Sequence, residues 1–149
     1  HVIDGNAPNY SSHDTSNIML MGSYSNLSQV DVTADLTSPP KIIFGEEPAR
    51  GWCYYYQKSD LALQKHDYEE IIRLEKEASQ NGFRPEDSSE LIPFILANAQ
   101  LENKEKNNEI MPIFLDDPFN KVFFCQYLKE NRYPISVNAS RSLVDQYCQ

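Results

Sequence analysis

The sequence predicts a mainly α-helical domain, and three observations carry that reading. From Pro48 onward apolar residues recur at the i, i+3, i+4, i+7 spacing of a helix face. Capping and stop residues punctuate the same stretch at helix-length intervals. Two helix hairpins, each about 34 residues long, follow one another, as in a helical repeat. Residues 1–47 have a different texture and read as an extended or strand-containing arm packed on the helices. Residues 48–149 read as the helical domain, the whole forming one compact unit.

In the arm, "NAPNYSSHDTSN" is polar, rich in turn formers and without periodicity, so it reads as loop. "QVDVTADL" alternates, with Val30, Val32, Ala34 and Leu36 on one face, and predicts a strand that Pro39 and Pro40 end. "KIIFG" is a second strand candidate, giving at most a small β-ribbon within 29–45 that must lean on something else.

The first helix is expected over 52–65, with Trp52, Tyr55, Tyr56, Ser59, Ala62 and Leu63 as its apolar stripe. Asp67 can cap the next helix, 68–81, with Glu70 at capping-box spacing and Tyr68, Ile71, Ile72, Leu74 and Ala78 facing inward. Asn81-Gly82 offers the left-handed position that ends it, and Pro85 lies just beyond. A third helix, 90–102, follows a cap at Asp87 or Ser88 and presents Ile92, Ile95, Leu96 and Ala99. Pro93 places that helix's start late or kinks it. "NNEIMPIFL" is a weaker helix interrupted by Pro112. The next, 118–131, has Asp117 as cap, Pro118 at its first position, and Phe119, Val122, Phe123, Tyr127 and Leu128 as its stripe. The tail predicts a short helix from Ser140.

Composition narrows the function. A net charge of -9 argues against nucleic acid, since phosphate contacts need clustered Lys and Arg. It argues equally against anionic lipid. No run reaches the ~18 apolar residues of a membrane span. The opening "HVIDGNAPNY" has no Met and no signal-peptide pattern, and reads as cut from a longer chain. Asn-x-Ser sequons stand at Asn9, Asn26 and Asn138, and matter only in a glycosylating host.

Reactive constellations are not visible. There is no Gly-rich phosphate loop, no nucleophile elbow and no His-Glu-x-x-His, so no catalytic residue, metal ligand or cofactor site is assigned. Cys53 and His66 stand thirteen residues apart on one helix, nearly 20 Å by the ~1.5 Å rise per residue, too far to act as a nucleophile pair. Asp116 and Asp117, with Glu109 nearby, form a tight carboxylate group that a helix cap at Asp117 explains. Tyr54, Tyr55 and Tyr56 point ~100° apart, so at most two share a face.

Around the first turn, "HDYEEIIRLEKEA" resembles the stretch that closes a tetratricopeptide repeat. It departs at His66, where Gly is usual, and at Ile71, where Ala is usual. The longer segment "WCYYYQKSDLALQKHDYEEIIRLEKEASQNGFRPEDSSELIPFILANAQ" is similar to the soluble C-terminal domain of large multi-spanning bacterial membrane proteins of glycosyltransferase-like type. Those domains carry Trp-Cys-Tyr-Tyr-Phe-x-Lys-Ala-Asp-Leu-Ala before the second helix, and Pro-x-Asp-x-x-Glu-Trp-x-Pro-Phe opening the third. The matching positions are Trp52 to Gln64, Asp67-Tyr68 and Pro85 to Phe94; Tyr56, Ser59 and Leu91 depart from the pattern. The likeness covers 52–97 closely and 44–128 loosely.

The resemblance implies a domain outside the cytoplasm, tethered to a membrane part outside this chain. The capped helix hairpins, the lack of a reactive set and the acidic surface, which favours a basic or neutral partner, predict a non-catalytic interaction or accessory role. Its partner would be a protein or peptide, or its own membrane domain. The alternative is a glycan: carbohydrate binding, or support for a membrane glycosyltransferase. The family-like placement of Cys53 and Cys125 implies a disulfide between them, leaving Cys148 free. A groove between the first and third helices, lined by Tyr54, Tyr55 and Asn98, is the expected interaction surface.

Overall fold

The computed structural model describes residues 3, 5–26, 40–46 and 49–149. The alternating stretch 29–36, expected as a strand, lies outside them. Eight α-helices form among the described residues: α1 Ser16–Gly22, α2 Lys41–Phe44, α3 Trp52–Gln64, α4 Tyr68–Gln80, α5 Ile92–Gln100, α6 Lys104–Leu115, α7 Pro118–Lys129 and α8 Val137–Tyr147. A 3₁₀ turn, Ser88–Leu91, leads into α5. The domain is mainly helical, as the apolar spacing predicts.

The expected strand at "KIIFG" is instead the single helical turn α2. Pro40 (φ -59) begins it and Gly45, at φ 78, ends it. Ile42 is 96% and Ile43 72% exposed, so among the described residues neither side chain has a partner strand or core to hold it extended.

Local chemistry explains the hairpins. Asp67 accepts from Glu70 N (3.1 Å) and caps α4. The turn before it uses His66 at φ 56 where a glycine would be unstrained, closed by Asp67 N to Ala62 O (2.9 Å) and His66 N to Leu63 O (3.0 Å). At the end of α4 the same motif uses Gly82 at φ 75, with Phe83 N donating to Ala78 O (3.0 Å). A Cβ on Gly82 would meet no neighbour within 4 Å, so Gly82→Ala isolates the backbone term. It should cost about 1 kcal/mol in urea unfolding, the left-handed penalty of an L-residue.

The core centres on α5. Ile92, Pro93, Phe94, Ile95, Leu96, Ala97 and Asn98 are all buried, so this helix is enclosed on every side. α3, α4, α6 and α8 contact it. Pro93 lies in its first turn, where a missing N–H leaves no helical bond unmade. Pro112 does not interrupt α6: the helix runs on, and the carbonyl left without a donor belongs to the exposed Asn108. α8 starts earlier than expected, at Val137, because Ser136 caps it by accepting from Ala139 N (3.2 Å).

The stripe expected on α7 is shifted. Val122 is 63% exposed, whereas Phe124 and Cys125 are buried with Tyr127 and Leu128. Phe123 serves a second front: Tyr10 of the arm meets its ring edge-on at 5.8 Å. Around Tyr10, Ala7, Pro8 and Ser11 are also buried. The Ser11 hydroxyl donates to Asp87, and Asn6 Nδ2 donates to Arg132 O (3.2 Å), fastening this part of the arm to both ends of the helical core.

The disulfide also differs from the expectation. Cys125 bonds to Cys148, their Cα atoms 5.6 Å apart, and Cys53 is a free, exposed thiol. The reason is geometric. α3 turns Tyr55 and Tyr56 inward, which points Cys53 outward, while α8 packs back along α7 and delivers Cys148 beside Cys125.

Candidate functional site

The aromatic run at the head of α3 divides by helical phase. Tyr55 (2% exposed) and Tyr56 are buried, Trp52 and Tyr54 are half-buried, and Cys53 is exposed. The expected surface of Tyr54, Tyr55 and Asn98 is therefore not formed. Tyr55 packs with Leu74, Ala78 and Phe83, and its hydroxyl donates to Glu77 Oε1 (3.1 Å). Burial and the nearby Glu77 carboxylate push that hydroxyl's pKa up.

Asn98 is 0% exposed and serves as an internal tie. Its Nδ2 donates to Phe94 O (2.9 Å) and to Glu75 Oε2 (3.1 Å), and its Oδ1 accepts from Asn103 Nδ2 (2.9 Å). Asn103 in turn caps α6, and Lys106 Nζ stands 3.7 Å from Glu75 Oε1. The network joins α4, α5 and α6 with its polar groups satisfied, so its first role is to position helices.

Burial raises the pKa of Glu75 against the opposing pull of Asn98 and Lys106. A carboxyl whose folded pKa lies above its unfolded value binds its proton more tightly when folded. Its contribution to stability therefore falls as pH climbs from the unfolded value, about 4.3, through the raised one. Glu75→Gln removes that fall. The stability difference between variant and wild type should shift in the variant's favour over this window, and urea unfolding at a series of pH values measures it.

The carboxylates of the α6–α7 junction are used as caps. Asp117 Oδ1 accepts from Phe119 N (2.9 Å) ahead of Pro118, and Asp116 ends α6. Glu109 pairs with Lys106 at 3.0 Å. Among the described residues no three His, Cys, Asp or Glu side chains converge as a metal site, and no helix is long and apolar enough to cross a membrane. Of the sequon asparagines, Asn26 and Asn138 are exposed, while the Asn9 Oδ1 is enclosed without a partner.

Tyr54 does line an open site. The chain entering α3 and the chain leaving α4 lie at the same end of the hairpin, and between them is a cleft of about 510 Å3. Arg50, Trp52, Cys53, Tyr54 and Gln57 form one wall; Arg84, Glu86 and Glu90 form the other. The Trp52 indole Nε1 donates to Glu90 Oε2 (2.6 Å), and its ring lies 5.6 Å from that of Phe94. Burial raises the Glu90 pKa although the indole hydrogen bond favours the anion. The Arg50 guanidinium sits 4.7 Å above the Tyr54 ring, and Lys58 Nζ is 5.9 Å from it.

This cleft offers two aromatic surfaces, two guanidiniums, two carboxylates and an amide, with Trp52 held in place by its hydrogen bond to Glu90 and its ring contact with Phe94. Such a set has the donors, acceptors and flat apolar surface suited to holding a polar ligand. Sequence reading assigned Arg84 and Glu90 to a turn and a helix start. The signal for the site is the hairpin itself, which returns "GFRPED" to the end where "ARGWCY" begins. No family model matches this chain, and no curated protein or solved structure is found to be similar to it.

Proposed function

We propose that this chain is a non-catalytic interaction domain, exposed outside the cytoplasm and belonging to a larger bacterial membrane protein. The cleft at the head of α3 is its docking site for a protein or peptide segment, which can come from its own membrane portion. The observation that carries this reading is two half-buried aromatic side chains lining one open cleft: Trp52, held by Glu90 and Phe94, and Tyr54, held edge-on by the Tyr55 ring. Aromatic side chains fixed before binding lose little freedom when a partner covers them. The Cys125–Cys148 bond supports the location, because disulfides persist in oxidising compartments. The larger parent is proposed from the motif resemblance of 52–97 alone, which the comparisons with known proteins neither extend nor replace.

Cys53 provides the test, since its free thiol lies at the cleft rim. A photocrosslinker attached there, in the parent protein in its membrane, should capture one specific polypeptide or an internal segment, and Tyr54→Ala should abolish the capture. Equal capture with and without Tyr54→Ala overturns the docking site. Hydrolysis of a glycosidic or ester substrate that vanishes on replacing Asp116 or Asp117 overturns the non-catalytic reading.

A second reading, carbohydrate binding alongside a membrane glycosyltransferase, is favoured by one feature of the same cleft. Planar polar groups (Gln57, Arg84, Glu90) flank the aromatic faces, an arrangement suited to hydroxyl pairs on a sugar ring.

A further inference from the structure

Resting on the carbohydrate reading of the cleft, we infer that its ligand is an acidic sugar, a pyranose carrying a carboxylate. The inference starts from the guanidiniums. Arg50 and Arg84 line the same cleft from the two sides of the hairpin, one preceding α3 and one following α4. Neither forms an ion pair among the described residues, although Glu86 and Glu90 line the cleft with them. Arg50 is oriented by the Tyr54 ring beneath it, so its fork is presented rather than free to wander. A carboxylate is the planar anion that such forks bind bidentately.

The rest of the lining matches the remainder of a uronate ring. Glu90 uses Oε2 for the Trp52 indole and leaves Oε1 as an acceptor for a sugar hydroxyl. The Gln57 amide adds both a donor and an acceptor. Trp52 supplies apolar surface for the C–H face of the ring, while the Tyr54 ring serves to hold Arg50. A neutral sugar would leave both arginines unmatched, and a purely anionic ligand would face the two carboxylates with nothing to donate to them. A ring carrying hydroxyl donors and one carboxylate satisfies both sets. A cleft of about 510 Å3 falls within the ~300–1,000 Å3 of small-molecule sites.

Trp52 is the only tryptophan in the chain and lines the cleft, so its emission reports occupancy directly. The probes are a galacturonate tetrasaccharide, the galactose tetrasaccharide of the same linkage, and an N-acetylated tetrapeptide with a free carboxyl terminus. The acidic tetrasaccharide should change Trp52 emission saturably and bind at least about tenfold tighter than the neutral one, with a preference that shrinks as salt rises. The double variant Arg50→Gln, Arg84→Gln, checked for an unchanged melting temperature, should bind the two saccharides alike. The salt series and the acidic–neutral comparison need only the wild-type chain. Equal binding of the two saccharides by the wild type overturns the acidic ligand and leaves carbohydrate binding standing. No response to either saccharide overturns both, and a response to the tetrapeptide alone assigns the cleft to a peptide terminus.

Discussion

Phe94→Ala should lower the unfolding free energy by about 3–5 kcal/mol, the cost of deleting a fully buried aromatic ring. Phe94 is 0% exposed on the helix that α3, α4, α6 and α8 all touch, so no neighbour can collapse into the space without moving several helices. That loss is a large share of the ~5–15 kcal/mol that holds a domain of ordinary stability. Phe94→Leu keeps most of the volume and should cost much less, under about 1.5 kcal/mol. Urea unfolding followed by Trp52 fluorescence measures both, and the ring contact at 5.6 Å makes the native emission itself sensitive to Phe94. A loss below about 1 kcal/mol for Phe94→Ala would show that α5 is not the centre of the core. The change should also loosen Trp52, leaving its hydrogen bond to Glu90 and its packing beside Tyr55, Leu74 and Ala78, so cleft binding should weaken before the fold is lost.

The sequence made the helices legible wherever a terminus carried its own chemistry. Asp67, Gly82 and Asp117-Pro118 mark helix ends whose caps depend on residues two to five positions away, and such contacts survive any packing arrangement. The α3 stripe was legible too, because one face of that helix is buried and one is not. α7 was not, because it packs Phe124 into the core and Phe123 against Tyr10, and two buried fronts blur a single stripe. Asn98 reads as a polar position near a helix end, yet it is enclosed because Glu75 and Asn103, 23 and 5 residues away, satisfy its amide. The cleft was hidden for the same reason: Trp52 and Glu90 meet across 38 residues, a distance that periodicity does not encode.

The second large effect concerns the cysteines. Peptide mapping without reductant should recover Cys125 linked to Cys148 and Cys53 fully alkylatable, and reduction should lower stability by about 3 kcal/mol. That figure follows from the chain entropy of closing a loop across a separation of 23 residues. The bond ties the end of α8 to α7 near the C-terminus. The first turns of α8 are held without the bond by Ala139 and Leu143 in the core and by the Ser140 hydroxyl donating to Leu128 O (3.2 Å). Without the bond the end of α8 is held by the Tyr147 hydroxyl and the Gln146 amide donating to Asn108 Oδ1 and by the packing of Val144 and Tyr147. The unfolded chain regains its freedom, so the last turn of α8 should lose hydrogen-exchange protection on reduction. The clean measurement uses Cys53→Ser as background, which removes the thiol able to exchange with the bond, and compares Cys148→Ser with the oxidised parent. Cys148 is the better position to change, because Cys125 lies in the core and its replacement would add a packing cost. Equal urea midpoints for the two chains, or a Cys53–Cys125 linked peptide, would refute this assignment. If the bond forms in the cell, the chain exported to an oxidising compartment should be more stable than the same chain made in a reducing one, by the same amount that reductant removes in vitro.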